Sequence, residues 1–138
     1  MATELRRVVF VLLPGTHPGC LMPALSVLLS ANRMAEELCY QIECCTLDEQ
    51  SMRAADGLLL QPSPLEQCAP GFAQLWLVAE HLSASDQLPD WLAPRLQQWQ
   101  SEGVLIGSLE GGVAVLAACG LLDGGQCAVH WRMVDEFR

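Results

Sequence analysis

The sequence predicts an α/β fold, a doubly wound and mostly parallel sheet flanked by helices. Three observations predict it. Strand-sized apolar runs alternate along the chain with stretches of helical periodicity. The runs are too uniformly hydrophobic to have a wet face, as in strands covered on both sides. The segments between them are long enough for the crossovers that parallel pairing needs.

Arg7 to Leu13 is the first such run, β-branched and apolar. After "PGTHPGC", the segment from Pro23 to Leu38 sets Ala24, Val27, Leu28, Ala31, Met34, Ala35 and Leu38 on one helical stripe. Pro23 suits a first helical position, where its missing N–H costs nothing. Tyr40 to Leu47 reads as the second strand and Leu58 to Leu60 as a short third. "QPSPLEQCAPG" reads as a proline-broken surface connection. Leu75 to Val78 is a further buried strand. Asp90 is placed to cap a helix reaching about Glu102, with Leu92, Leu96 and Trp99 on one face and Gly103 as its C-terminal cap. Val104 to Ile106 is the next strand and Val113 to Cys119 the next helix, stopped by Gly120. Gln126 to Val129 reads as a strand, and Trp131 to Phe137 as the start of a helix that breaks off after about two turns. That abrupt end suggests a fragment of a longer chain.

The 138 residues suit one domain, spanning 1–138, with a real core, and 51% hydrophobic against 17% charged residues excludes a disordered chain. No apolar run is long enough to cross a bilayer. "MATELRRVVF" superficially looks like a signal peptide, but the run ends at Pro14-Gly15 with no small-residue cleavage site, and a first strand fits better. The formal net charge is −9, and all seven basic residues are arginine. Such a chain repels phosphate backbones, which argues against direct nucleic-acid binding. The seven cysteines are odd in number and lack a C-x-x-C spacing, so buried free thiols in a reducing cytosol are expected. A zinc site or disulfide framework is the alternative. Cys44 and Cys45, adjacent in a strand, point to opposite faces.

"IGSLEGG", residues 106–112, has the frame of a nucleophile elbow, G-x-(nucleophile)-x-G, between a strand and a helix. In this frame Gly107 and Gly111 are the flanking glycines and Leu109 the apex. A hydrocarbon cannot attack a substrate. Ser108 lies one position away, and a shift of one residue at so tight a turn aims its hydroxyl elsewhere. Glu110 is either a charge favoured by the helix dipole or a hydrogen-bonding wall of a pocket suited to cationic or hydroxyl-bearing ligands. His130, in "CAVHW", can face the same sheet edge, as can His17 and His81, but the three histidines match no metal-ligand spacing.

These residues together resemble the DJ/PfpI superfamily, the class I glutamine amidotransferase-like domains. More narrowly, they resemble the version at the N-terminus of AraC-type transcriptional regulators. The resemblance rests on "RRVVFVLLPG", "ALSVLLSANRMA", "YQIECCTLD", "GVLIGSLEGGVAVLAACGLLDG" and "AVHW", and covers the chain from about residue 6 onward. It implies a flavodoxin-like fold that continues into another strand and helix and then a helix-turn-helix region not in this chain. Family enzymes carry Cys at the elbow apex, matched here to Leu109. They carry an acidic residue near the start of the first helix, matched to Cys20, and a glycine-rich turn after the fourth strand, matched to Ala79-Glu80-His81. The family's His is matched by His130. Three of four catalytic components are thus missing together, which speaks against catalysis; no catalytic residue is expected, and no cofactor or metal is assigned. The resemblance implies instead a cytoplasmic sensing and dimerisation domain, whose nitrogenous or amino-acid-like effector binds near Cys20, Glu80, His81, Ser108, Leu109, Glu110 and His130. DNA would be met only through a C-terminal domain absent from this chain. The competing expectation is a small hydrolase or lyase of the same superfamily with a displaced nucleophile.

Overall fold

The structure, a computed structural model, describes residues 4–35, 37–48, 52–53, 59–81 and 88–137. Its main sheet runs through β1 (Arg6–Leu12), β2 (Tyr40–Thr46), β5 (Ser63–Pro64), β6 (Gln74–Ala79) and β7 (Leu105–Glu110), in the order β5-β2-β1-β6-β7. Every pairing in it is parallel. Two short strands, β3 (Met52–Arg53) and β4 (Leu59–Leu60), pair antiparallel as a separate ribbon. Helix α1 (Pro18–Met34) covers one face of the sheet; α2 (Leu92–Ser101) and α3 (Val113–Ala118) cover the other. The α/β, doubly wound architecture expected from the sequence is the one observed.

β1 shows why the fold closes. Val8, Phe10 and Leu12 point to the α1 side, where they pack with Leu21 and Val78. Val9, Val11 and Leu13 point the other way, into the larger cluster with Leu75, Leu77, Leu92, Leu96, Val115 and Leu116. A strand whose alternate residues both meet helices has no solvent face, so its sequence is apolar throughout.

Several boundaries differ from the sequence expectation. α1 begins at Pro18, not Pro23, because the His17 Nδ1 accepts a 2.9 Å hydrogen bond from the Gly19 N–H and caps the helix, leaving Pro18 to occupy its first turn. Pro23 therefore lies inside the helix. The helix ends at Met34, short of Leu38, and Asn32 ties its last turn to β2. Asn32 Oδ1 accepts from the Cys39 and Tyr40 N–H groups at 3.1 and 2.8 Å, while Nδ2 donates to the Tyr40 carbonyl at 2.7 Å. Leu59–Leu60 forms the ribbon and does not join the main sheet; Leu58 lies outside the described residues. The proline-rich connection itself supplies edge strand β5, followed by a 3₁₀ turn at Leu65–Gln67. Asp90 does not cap α2: the residue before the helix is Trp91, in helical geometry, and the Leu92 N–H bonds the Pro89 carbonyl at 3.0 Å. Gly103, at φ +89°, adopts the left-handed conformation expected after that helix. Gln126 to Val129 forms no strand, having no strand neighbour to pair with, and Trp131–Phe137 is a 3₁₀ helix. Among the described residues, no helix is long and apolar enough to cross a membrane.

Candidate ligand site at the carboxyl edge

Parallel pairing brings the carboxyl ends of β1, β6 and β7 to one edge. Leu13 N–H bonds the Val78 carbonyl at 2.9 Å, and the buried Thr16 hydroxyl lies 2.7 Å from the carbonyl oxygens of both Leu13 and Val78. That pin folds the β1–α1 loop over the end of β6 and sets Cys20, in the first turn of α1, above the edge.

The strand-to-helix turn lies one residue later than the sequence frame predicts. Leu109 is still in register with Val78 inside β7, and its side chain packs with the cluster beneath α1. Glu110 is the residue with φ +51°, a left-handed conformation that L side chains rarely adopt. Gly111 and Gly112 complete the turn. Gly111 N–H bonds the Ala79 carbonyl at 2.8 Å, and a Cβ on Gly111 would lie 2.8 Å from the Glu80 carbonyl oxygen. A Cβ on Gly112 would collide with the Leu77 carbonyl. Gly107 has another purpose: a Cβ there would come within 2.5 Å of the Trp76 ring. A strand glycine making room for an indole had the spacing of an elbow glycine, which is why the apex seemed to fall on Leu109.

A cleft of about 430 Å³ opens beside the turn, lined by Glu80, His81, Glu110, Gly111, His130, Trp131, Arg132 and Met133. Four of the seven site residues expected from the sequence, Glu80, His81, Glu110 and His130, come together on its wall. Cys20 is close enough to feel two of them. Burial raises its thiol above the ordinary value, the Glu110 and Glu80 carboxylates raise it further, and a backbone hydrogen bond at His17 opposes them. The thiol therefore stays protonated at neutral pH. Ser108 and Leu109 do not line the cleft; they sit within β7, where alternation and pairing aim them into the fold. Trp131, Arg132 and Met133 were not anticipated as lining residues; they follow His130 in a 3₁₀ helix that borders the cleft. Trp131 is 72% exposed, and the Arg132 guanidinium stacks over its ring at 5.0 Å. The His130 and Trp131 rings lie 5.5 Å apart. Among the described residues, no group of three or more His, Cys, Asp or Glu side chains is arranged to hold a metal ion.

No family model matches the chain. Two curated proteins of Pseudomonas aeruginosa do: the HTH-type transcriptional regulator ArgR, 34% identical over 99% of the chain, and CdhR, 32% identical over 94%. The chain is similar to part of each of these HTH-type transcriptional regulators. It spans 40% and 38% of the length of those two relatives. Among solved structures, an AraC family transcriptional regulator from Pseudomonas putida superposes with a TM-score of 0.72 at 22% identity, over 93% of this chain and 68% of that one. A Vibrio parahaemolyticus protein assigned to transcriptional regulation gives 0.83 at 20%, over 97% and 71%. A DJ-1 superfamily protein from Agrobacterium tumefaciens gives 0.64 at 20%, over 85% and 60%. Those superpositions show the shared DJ-1-type fold. In this chain, the strained turn carries a carboxylate and the thiol stands opposite, on α1. The resembled enzymes have the reverse arrangement, with thiol on the turn and acid on the helix.

Proposed function

We propose that the domain senses a small cationic or zwitterionic nitrogenous metabolite, amino-acid-like in its charge pattern, in the cleft at the carboxyl edge, and binds it without turnover. The observation that carries this reading is Glu110. A carboxylate held at φ +51° and bordering a cleft with Glu80 is a fixed negative wall. It suits an ammonium or guanidinium group, while the Trp131 ring already carries the Arg132 guanidinium. Arg132, on the same wall, can take a ligand carboxylate. Nothing on the turn supplies an activated nucleophile: the Cys20 thiol is raised, and Ser108 lies two residues before the turn inside a strand. The hydrolase or lyase alternative therefore draws no support from this turn.

Occupancy would be passed to a helix-turn-helix domain outside this chain, in the cytoplasm, within a homodimer. Support for the dimer comes from α1, whose outward side leaves Met22, Val27, Leu29 and Met34 exposed, Met34 to 88%. A second copy of the chain would cover that surface. Thermal-shift measurements with amino acids, betaines and their uncharged analogues test the sensing. Cationic or zwitterionic ligands should raise the melting temperature of the wild type and not of Glu110→Gln. A rise that Glu110→Gln retains in full would refute the assignment. For the dimer, Val27→Asp should shift sedimentation to the monomer; an unchanged mass overturns it.

A further inference from the structure

A second group of thiols lies away from the cleft. Cys45 of β2, 1% exposed, has its Sγ 3.4 Å from the Sγ of Cys68, 23 residues further on. Three separate constraints hold the two together. β5 pairs with β2, setting Ser63 opposite Cys45. The 3₁₀ turn closes through the Cys68 N–H, which bonds the Leu65 carbonyl at 3.0 Å. Arg7 of β1 then clamps the following loop, its Nη1 donating to the Ala69 and Pro70 carbonyls at 3.0 and 2.8 Å. The other Arg7 nitrogen, Nη2, pairs with Glu43 Oε2 at 2.7 Å, and that oxygen lies 3.4 Å from the Cys68 sulfur. Cys68 is partly exposed and lines a cavity of about 490 Å³ with Phe72, Trp91, Arg95 and Trp99.

We infer that Cys45 and Cys68 form a reversible dithiol–disulfide pair, oxidised through the cavity by a small-molecule disulfide. Cys68, reached first, attacks one sulfur of the reagent as its thiolate. The reagent's S–S bond breaks and one thiol leaves, taking up the proton that Cys68 gave to solvent. Cys45, directly behind, then loses its proton and attacks the Cys68 sulfur, forming the intramolecular bond and releasing the second thiol. Two protein thiols are oxidised and one reagent disulfide is reduced to two thiols. The sulfurs need to close by only about 1.4 Å to bonding distance. Burial raises both thiols, with Glu43 raising Cys68 further and Arg7 offsetting part of that, so the reduced pair rests protonated. The product would staple edge strand β5 and its turn to β2. This inference does not rest on the cleft at the carboxyl edge.

Oxidised glutathione is the probe. After incubation with the folded 138-residue protein, acid quench and alkylation, peptide mapping should show Cys45 and Cys68 lost together as free thiols, apart from any glutathione adduct on exposed Cys127. A single link should join the Cys44-Cys45 peptide to Cys68, reversed by dithiothreitol. Cys44→Ala should keep that link. Cys45→Ala should stop at one glutathione adduct on Cys68, which also reports that the cavity has formed, and Cys68→Ala should give neither. The inference is overturned if all thiols still alkylate, if the link joins other cysteines, or if the same pattern and rate persist in urea, where the geometry is gone.

Discussion

Two thiol–carboxylate groups occupy this small domain, and their surroundings set them apart. At the carboxyl edge, Cys20 faces Glu110 and Glu80, with the cleft open beside them. On the opposite face of β2, Cys68 faces Glu43, but there Arg7 neutralises the carboxylate and Cys45 stands behind the sulfur. In both places burial is the largest influence and the carboxylate adds to it, raising the thiol. The difference lies in what compensates the charge. Glu43 spends its negative charge on a protein cation at 2.7 Å. Glu110 and Glu80 have charge left to direct at a ligand. The same pair of side-chain types thus makes a structural junction in one place and a candidate recognition wall in the other.

The largest effect separates the two by breaking the scaffold of one. Gly112 has an ordinary φ of −57°, so its glycine is required by space alone: a Cβ would strike the Leu77 carbonyl. Gly112→Ala should cost roughly 3 kcal/mol in urea unfolding, the upper range for overpacking, and should displace the Glu110 turn. Gly124→Ala is the counterpart, at φ +72° with nothing within 4 Å. It should cost only left-handed strain, about 1 kcal/mol. Equal costs would mean that helix α3 does not lean on β6 as closely as described.

The next effect concerns pH. A thiol raised on folding keeps its proton in the native state while the unfolded chain loses it, so stability is full below the unfolded thiol value of 9.0 and declines as pH climbs past it. The decline continues until the folded thiol itself ionises. For a thiol raised as far as Cys45 the slope approaches about 1.4 kcal/mol per pH unit between the two values; the less shifted thiols add less. Cys45 has the largest resolved rise, assisted by its contact with Cys68. Cys45→Ala lowers baseline stability through a cavity, but the fall in urea midpoint between pH 8 and pH 10, values chosen to bracket that threshold, should be visibly shallower than in wild type. An unchanged slope would show that the Cys45 thiol is not sequestered.

How much of this was legible in the sequence follows from how local each cause is. β1 was legible because burial on both faces writes itself as an unbroken apolar run from Val8 to Leu13. The start of α1 was not, because the capping atom belongs to a histidine within a glycine- and proline-rich stretch that reads as loop. The elbow was placed one residue early because Gly107 serves Trp76, a residue 31 positions away, paired with it across β6 and β7. Glu80 and Glu110 could be expected together because the ends of β6 and β7 meet at one edge of a parallel sheet. The Cys45–Cys68 contact was not legible, since it depends on where the turn after β5 comes to rest.

A smaller effect bears on the strain at the proposed recognition wall. An L side chain at φ +51° is strained, and glycine would relieve it. Glu110→Gly should therefore raise stability by up to about 1 kcal/mol, the gain being reduced by glycine's greater freedom when unfolded. Ligand-dependent stabilisation should vanish in the same protein. A variant that is less stable than wild type would mean that Glu110 contributes to the fold, not only to the cleft.

The smallest effect tests the electrostatic reach across the edge. Burial, not charge, is the leading cause of the raised Cys20 thiol, with Glu110 second and Glu80 last. Removing one carboxylate should thus lower the thiol only partly toward its ordinary value. Alkylation of Cys20 by iodoacetamide at fixed mildly alkaline pH, followed by peptide mapping, should be faster in Glu110→Gln than in wild type, because a larger share of the thiol is then ionised. Glu80→Gln should act in the same direction and less. Cys68 in the same sample is the internal standard: its carboxylate neighbour is Glu43, so its rate should not move. A parallel change at both cysteines would signal general loosening, and the charge on the turn would then have no specific hold on the helix opposite.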